Sequence, residues 1–249
     1  MAYDFLALTN EICSRLNETR LTTTNFATAT NFYQTIKDSI NAAIRDINHQ
    51  EYNYPFNHTS TEIILDVNTA RYPIPQNAKI VDYESARILR DSSLNVSTHI
   101  LKHIQYDEYV RNYLDQEINT NATGAVPRFI AKTQTNDFAV APKPDKAYTL
   151  ELEYFVIPAD LSLFDDVPTV PESFKHVILD GAMYHCYMFR DNAQSATLAK
   201  QKFDEGLKAM RSLLINEYIN VMDTRVSRNI NTFALGTPIA NAGSSRDNI

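Results

Sequence analysis

The sequence predicts an α+β protein, with helices toward both ends of the chain and strands between them. Two observations carry this reading. Apolar residues recur every three or four positions in residues 5–51 and again after residue 171, the period of a helix buried along one stripe. Between residues 59 and 170 the pattern changes to short β-branched and aromatic runs separated by Asn, Asp, Ser and Pro.

The first stripe is Phe5, Leu8, Ile12 and Leu16. A polar, Thr-rich stretch between Thr19 and Thr30 reads as a connection. Phe32, Ile36, Ile40, Ile44 and Ile47 then mark the clearest helix of the N-terminal half, over residues 31–51. Asn31 is placed to cap it and Tyr54-Pro55-Phe56 to stop it. Residues 62–67 and 71–75 read as strands around the Asn68-Thr69 turn, and residues 85–90 and 97–101 as a hairpin around Asp91-Ser92-Ser93. Residues 106–117 read as a short helix with Tyr109 and Tyr113 on one side. Further strands are expected at 128–133, 137–141 and 148–157, and in the last of these Leu150, Leu152, Tyr154 and Val156 share a face.

Pro171-Glu172-Ser173 opens a helix with Val177, Ile178, Met183 and Tyr187 at its apolar positions, and Asp191-Asn192 breaks it. A last helix carries Leu198, Phe203, Leu207, Met210, Leu214, Tyr218 and Val221. From Asp223 onward no period persists, which reads as an extended tail. The expected organisation is therefore two halves of one helical bundle, residues 1–58 and 171–222, with an antiparallel β domain inserted at 59–170 and a tail at 223–249. The stripes at the two ends each need a partner, and the nearest is the other.

Composition excludes several classes. The longest apolar runs, such as Ile63-Ile64-Leu65, fall far short of a membrane span, and no secretory leader precedes the first helix, so folding in the cytoplasm is expected. Five glycines in 249 residues leave little for a nucleotide cradle, and the loop Ala141-Pro142-Lys143-Pro144-Asp145-Lys146 has a lysine but no glycine. Net charge is −7, and residues 61–170 hold 10 basic and 16 acidic side chains. Such a body does not bind duplex phosphates by charge, but it suits a passage along which DNA slides without sticking. Residues 224–249 reverse the sign, with Arg225, Arg228 and Arg246 against Asp247.

The residues that invite chemistry have plainer explanations. His99 and His103 lie four apart, yet no further ligand completes a metal set. His176 and His185 share a helix face beside Cys186, but adjacent His185 and Cys186 diverge, so a nucleophilic dyad is not expected. Cys13 and Cys186 are expected as buried free thiols. The pairs Asp107-Glu108 and Asp165-Asp166 point apart along the chain and read as helix-start and turn carboxylates. No catalytic residue, metal or cofactor follows from these patterns. Fourteen tyrosines and twelve phenylalanines serve either the core or an interface.

Five segments in order carry a resemblance. They are residues 5–18; residues 37–56, where Asn41-Ala42-Ala43-Ile44-Arg45-Asp46-Ile47 leads to Tyr54-Pro55-Phe56; and Tyr72-Pro73-Ile74-Pro75. The fourth comprises Gly124-Ala125-Val126-Pro127-Arg128-Phe129, Ala141-Pro142-Lys143-Pro144-Asp145 and Leu152-Glu153-Tyr154-Phe155-Val156-Ile157-Pro158; the fifth is Val170-Pro171-Glu172-Ser173-Phe174. Together they resemble the head-to-tail adaptors of short-tailed bacteriophages, the tail tubular protein A type. Members of that type often place Trp before the proline of the second segment, where this chain has Tyr54 and no Trp anywhere.

The resemblance implies a virion structural protein, without enzymatic activity, in the neck of the particle. It implies a homo-oligomeric ring, usually of about twelve copies, between portal protein and tail nozzle protein, through which DNA passes on ejection. It also implies that the tail reaches the portal, with Arg225, Arg228, Phe233, Leu235 and Ile239 as the expected contacts. Two other readings remain open at this point: a tail-associated hydrolase, which needs two carboxylates across a cleft, and a portal-distal stopper or nozzle subunit.

Overall fold

The computed structural model describes residues 3–50, 53–93, 96–119 and 123–215. The N-terminal helix α1 (Phe5–Arg15) starts at Asp4, whose carboxylate accepts the Ala7 N–H at 2.7 Å. Helix α2 (Phe32–Asn48) buries Ile36, Ile40, Ala43, Ile44 and Ile47 along one stripe. Asn31 holds the position before it, but its side chain makes no capping bond. Its backbone has φ 58°, which asparagine tolerates, and its carbonyl takes the Gln34 and Thr35 N–H groups instead. Below α2 the Asn57 amide donates to Asn48 Oδ1 at 2.7 Å, and Tyr54 stacks on Phe56 with ring centroids 5.1 Å apart. The Tyr-Pro-Phe segment thereby fastens the turn Pro55–Asn57 to the helix end.

The chain returns to this layer in α4 (Lys175–Phe189), entered through the 3₁₀ turn Glu172–Phe174, and α5 (Ala193–Leu214). The break is at Asp191, with φ 53°, after which the Asn192 side chain accepts the Ser195 N–H. Helix α4 is apolar on more than one side because it packs against both α2 and α5. Gly181 permits the close approach: a Cβ there would sit 2.9 Å from Ala43 Cβ and 2.8 Å from the Phe203 ring. A single apolar cluster draws on α1, α2, α4 and α5, so the two ends of the chain share one core.

Two details of the last helix depart from the sequence pattern. Leu198, expected on its inward stripe, is 56% exposed. The buried stripe is Ala196, Ala199, Phe203, Gly206 and Met210, spaced three and four apart, and Leu198 lies off it, five positions before Phe203. The described helix ends at Leu214, and Tyr218 and Val221 lie outside the described residues.

The strands form two four-stranded sheets. The first has the order β1 (His58–Leu65), β8 (Tyr148–Val156), β3 (Ala78–Ile88), β4 (His99–Ile100), all antiparallel. The second has the order β2 (Arg71–Pro73), β7 (Asp137–Ala141), β6 (Phe129–Lys132), β5 (Lys102–His103). Its β5–β6 pair is parallel, so the expected wholly antiparallel arrangement is corrected there. The cause is a corner. The single strand expected at 97–101 divides, with His99–Ile100 pairing in the first sheet and Lys102–His103 in the second, while Leu101 is buried where the chain crosses. Between the sheets lies a second apolar core containing Leu65, Ile88, Phe138, Val140, Leu150 and Leu152. The alternation in β8 follows from this, since Tyr148, Leu150, Leu152 and Tyr154 face the core while Glu151 and Glu153 do not. Helix α3 (Tyr106–Ile118) covers the other face of the second sheet, where Tyr109 packs with Ala131, Ala139 and Ala141. Its tyrosines do form one side, with Tyr109 to Tyr113 centroids 6.3 Å apart and Tyr113 to Phe129 5.4 Å.

Candidate functional site

The turn motifs quoted above are seams of this fold. Tyr72 donates its hydroxyl to the carbonyls of Thr69 at 2.9 Å and Asp66 at 3.1 Å, bracing the turn in which Asn68 has φ 62°. Burial pushes the Tyr72 phenol up to about 12, so it stays a donor at any working pH. Gly124 lies flat against the following loop: a Cβ there would be 2.8 Å from the Pro144 carbonyl oxygen. In the same place the Ala125 N–H donates to the Lys143 carbonyl at 2.9 Å. Lys143 itself is buried, with Nζ donating to the Asn119 carbonyl at 2.8 Å. It holds a loop together and does not reach toward a phosphate.

The histidines and cysteines separate in the same way. His99 sets its ring nitrogens against the carbonyls of Pro127, at 2.9 Å, and Ser97, while His103 stacks on Tyr83 with centroids 5.3 Å apart. His185 meets Asp46 across the helices at 3.1 Å, and His176 is exposed. Cys186 is buried in the shared helical core, where desolvation raises its thiol pKa against the lowering effect of a hydrogen bond with Ser39. Burial, with Glu18 and Cys186 adding to it, pushes the Cys13 thiol up to about 11. Both are free thiols in an environment that holds them protonated and unreactive.

The paired carboxylates sit at a helix start and in a turn. Asp107 and Glu108 occupy the first turn of α3. Asp166 accepts the N–H groups of Ser162 at 2.6 Å and Leu163 at 2.7 Å, and these bonds hold its pKa below the usual carboxylate value. Among the described residues no group of three or more His, Cys, Asp or Glu is placed to hold a metal ion, and no helix is long and apolar enough to cross a membrane.

Two features of the surface are distinctive. The outer face of the first sheet is acidic: register places Glu62 opposite Glu151 and Asp82 opposite Glu153. Arg87 bridges it, bonding Glu151 at 2.8 Å and Glu153 at 3.0 Å, and His58 meets Glu153 at 3.2 Å. The other feature is the loop between β8 and α4, which is pinned from several sides. Asn41 and Leu161 exchange two hydrogen bonds of 3.0 Å, the Phe5 N–H donates to the Asp166 carbonyl at 2.8 Å, and the Leu6 N–H to the Phe164 carbonyl at 3.0 Å. The sequence marks this loop only by the Asp165-Asp166 turn; the exposure of Leu163, Phe164 and Val167 is not legible without the fold. Arg225, Arg228, Phe233, Leu235 and Ile239, the contacts expected of the tail, lie outside the described residues.

Among the described residues, the polar side chains that the sequence singled out serve turns, loops and seams of an α+β body. The comparison with known families makes the assignment: the model of the SU10 adaptor protein family matches residues 3–229, and the chain belongs to that family. It is thus a structural adaptor protein of a phage, a component of the head-to-tail neck of the virion. No curated protein sequence matches it.

Proposed function

We propose that within this family the chain works in the manner of the tail tubular protein A type. Copies close into a ring of about twelve between the portal protein and the tail nozzle protein, and DNA passes through the ring without sequence-specific binding. The observation that carries this is the family match over nearly the whole chain. The organisation that goes with it is a helical body built from residues 1–58 and 171–222, a β domain at 59–170 and a tail at 223–249. The acidic outer face of the first sheet supports a further part of the reading. Its Glu62, Glu151, Glu153 and Asp82, set toward the passage, repel phosphate and keep the genome from sticking.

The tail is the portal-binding element in this proposal. Arg225 and Arg228 offer planar forks suited to carboxylates in a groove, and Phe233, Leu235 and Ile239 supply anchors. Imaging of the purified chain, alone and mixed with portal rings, tests the proposal. Rings of the chain that stack on portal rings are the expected result. Deletion of residues 224–249 is expected to leave the fold intact and abolish portal binding. Undiminished portal binding by the truncated protein overturns the role of the tail, and a chain that stays monomeric in both samples overturns the ring.

A further inference from the structure

The pinned loop between β8 and α4 carries more apolar surface than a solvated turn needs. Leu163 is 61% exposed, Val167 62% and Phe164 40%; the backbone of Leu163 and Phe164 is held by the Asp166 side chain and by α1, and Val167 follows directly after Asp166, whose carbonyl accepts the Phe5 N–H. Rigid apolar side chains on a pre-ordered loop are suited to docking, because little entropy remains to be lost on binding. From residue 158 to residue 170 this segment has Asp160, Asp165 and Asp166 and no Lys or Arg, so the protrusion is acidic as well as apolar.

The opposite combination occurs elsewhere on the same chain. Between α4 and α5 lies a groove of about 300 Å³ lined by Met183, Tyr187, Leu198 and Ala199. Its rim carries Arg15 and Lys202; Arg15 is already paired with Glu11 at 3.0 Å and Asp180 at 3.4 Å, so Lys202 supplies the uncompensated positive charge of the rim among the described residues. Leu198 is a large apolar residue of α5 that lies off its buried stripe and is 56% exposed. The protrusion is bonded to the first turn of α1 and the groove is bounded by Arg15, the last residue of that helix. Eleven residues of helix, about 16 Å, therefore separate them.

We propose that the protrusion of one copy, led by Leu163 and Phe164, docks into the α4–α5 groove of the next, with Asp165 facing the Arg15–Lys202 rim. A second copy is the occupant because both halves of the complementary pair, apolar to apolar and acidic to basic, are present on one chain. Two different patches in contact make a head-to-tail interface, which extends from copy to copy and either closes or runs on. The proposal rests on the adaptor reading only for its expectation of closure.

Cysteine cross-linking of the full chain tests it. Leu163→Cys and Leu198→Cys are made separately, mixed and oxidised; native Cys13 and Cys186 are buried and do not compete. A 163–198 disulfide that dominates in the mixture is the expected result. Links of 163 to 163 or 198 to 198, or no link, overturn the contact. Leu163→Glu and Leu198→Glu are expected to keep the wild-type melting profile, both sites being more than half exposed, and to weaken self-association in sedimentation by roughly thirty-fold. Unchanged association of either variant overturns the contact. Imaging separates the two ideas: rings without the 163–198 link leave the ring reading standing and remove this interface, whereas the link in open chains supports the interface and removes the ring.

Discussion

Gly181→Ala tests how closely the helices meet. In an isolated helix this change is favourable, since alanine exceeds glycine in helix propensity by about 1 kcal/mol. Here the new methyl group would lie 2.9 Å from Ala43 Cβ on α2 and 2.8 and 2.9 Å from two ring atoms of Phe203 on α5. Ordinary contact between carbon atoms needs about 3.5–4.0 Å, so the overlap is on the order of 0.7 Å on both sides at once. Ala43 and Phe203 are both buried, and an alanine methyl moves only with its helix. Overpacking of this kind costs about 1–3 kcal/mol, which exceeds the propensity gain for all but the smallest values. The expected net effect is a loss of roughly 1 kcal/mol in urea denaturation with an unchanged slope. The double variant Ala43→Gly with Gly181→Ala removes one of the two overlaps and is expected to lose less than the sum of its single changes. A Gly181→Ala protein more stable than the wild type would refute the packing of α4 against α2 and α5.

Three further predictions follow from the same geometry. Ile40→Asp is expected to unfold the helical body, because Ile40 is completely buried and an unpaired charge there costs several kcal/mol; circular dichroism showing an unchanged melting profile would contradict the shared core. Tyr109→Phe removes the hydroxyl that donates to Glu117 at 2.9 Å within α3 while leaving the Arg71–Glu117 pair, so a loss of about 1 kcal/mol is expected by denaturant titration; a neutral result would show that this bond does not stabilise the buried end of Tyr109. Asp166→Ala is expected to destabilise the loop at neutral pH and to matter progressively less as pH falls. The folded carboxylate has a depressed pKa, so its contribution is full above the unfolded value and disappears as pH drops through the folded one; a mutational effect independent of pH from neutral to acid would contradict the turn-capping role.

Much of this protein is written locally. The stripes of α1 and α2, the strand at Asp137–Ala141, the alternation of β8 and the break at Asp191-Asn192 follow from spacing and turn chemistry, because a helix or strand with one buried face imposes its own period on the sequence. The resemblance to phage adaptors was legible for a related reason. Tyr72 braces a turn through its hydroxyl and Gly124 lies where a Cβ would meet the Pro144 carbonyl, so these short motifs have local structural jobs. The portal contacts expected at Arg225, Arg228, Phe233, Leu235 and Ile239 rest on the sequence and the resemblance, since they lie outside the described residues.

Tertiary structure decided what the periods could not express. Residues 97–101 read as one strand in the sequence, but only His99–Ile100 pair in the first sheet, and after buried Leu101 the next two residues, Lys102–His103, pair in the second, because the partners are set by distant segments. Leu198 counts among the apolar positions of its helix but is exposed, because the face that packs is set by the small residues Ala196, Ala199 and Gly206 together with Phe203 and Met210, and small residues give a weak apolar signal in a sequence. The protrusion at Leu163 and Phe164 has no period at all. Its form comes from Asn41, 120 residues away from Leu161, and from the first turn of α1, and long-range hydrogen bonds of that kind leave no mark in a local pattern. Spacing thus placed most of the elements, although β3 runs over Ala78–Ile88 where the sequence pattern marks only 85–90, while the pairing of distant segments decided which apolar residues stay exposed.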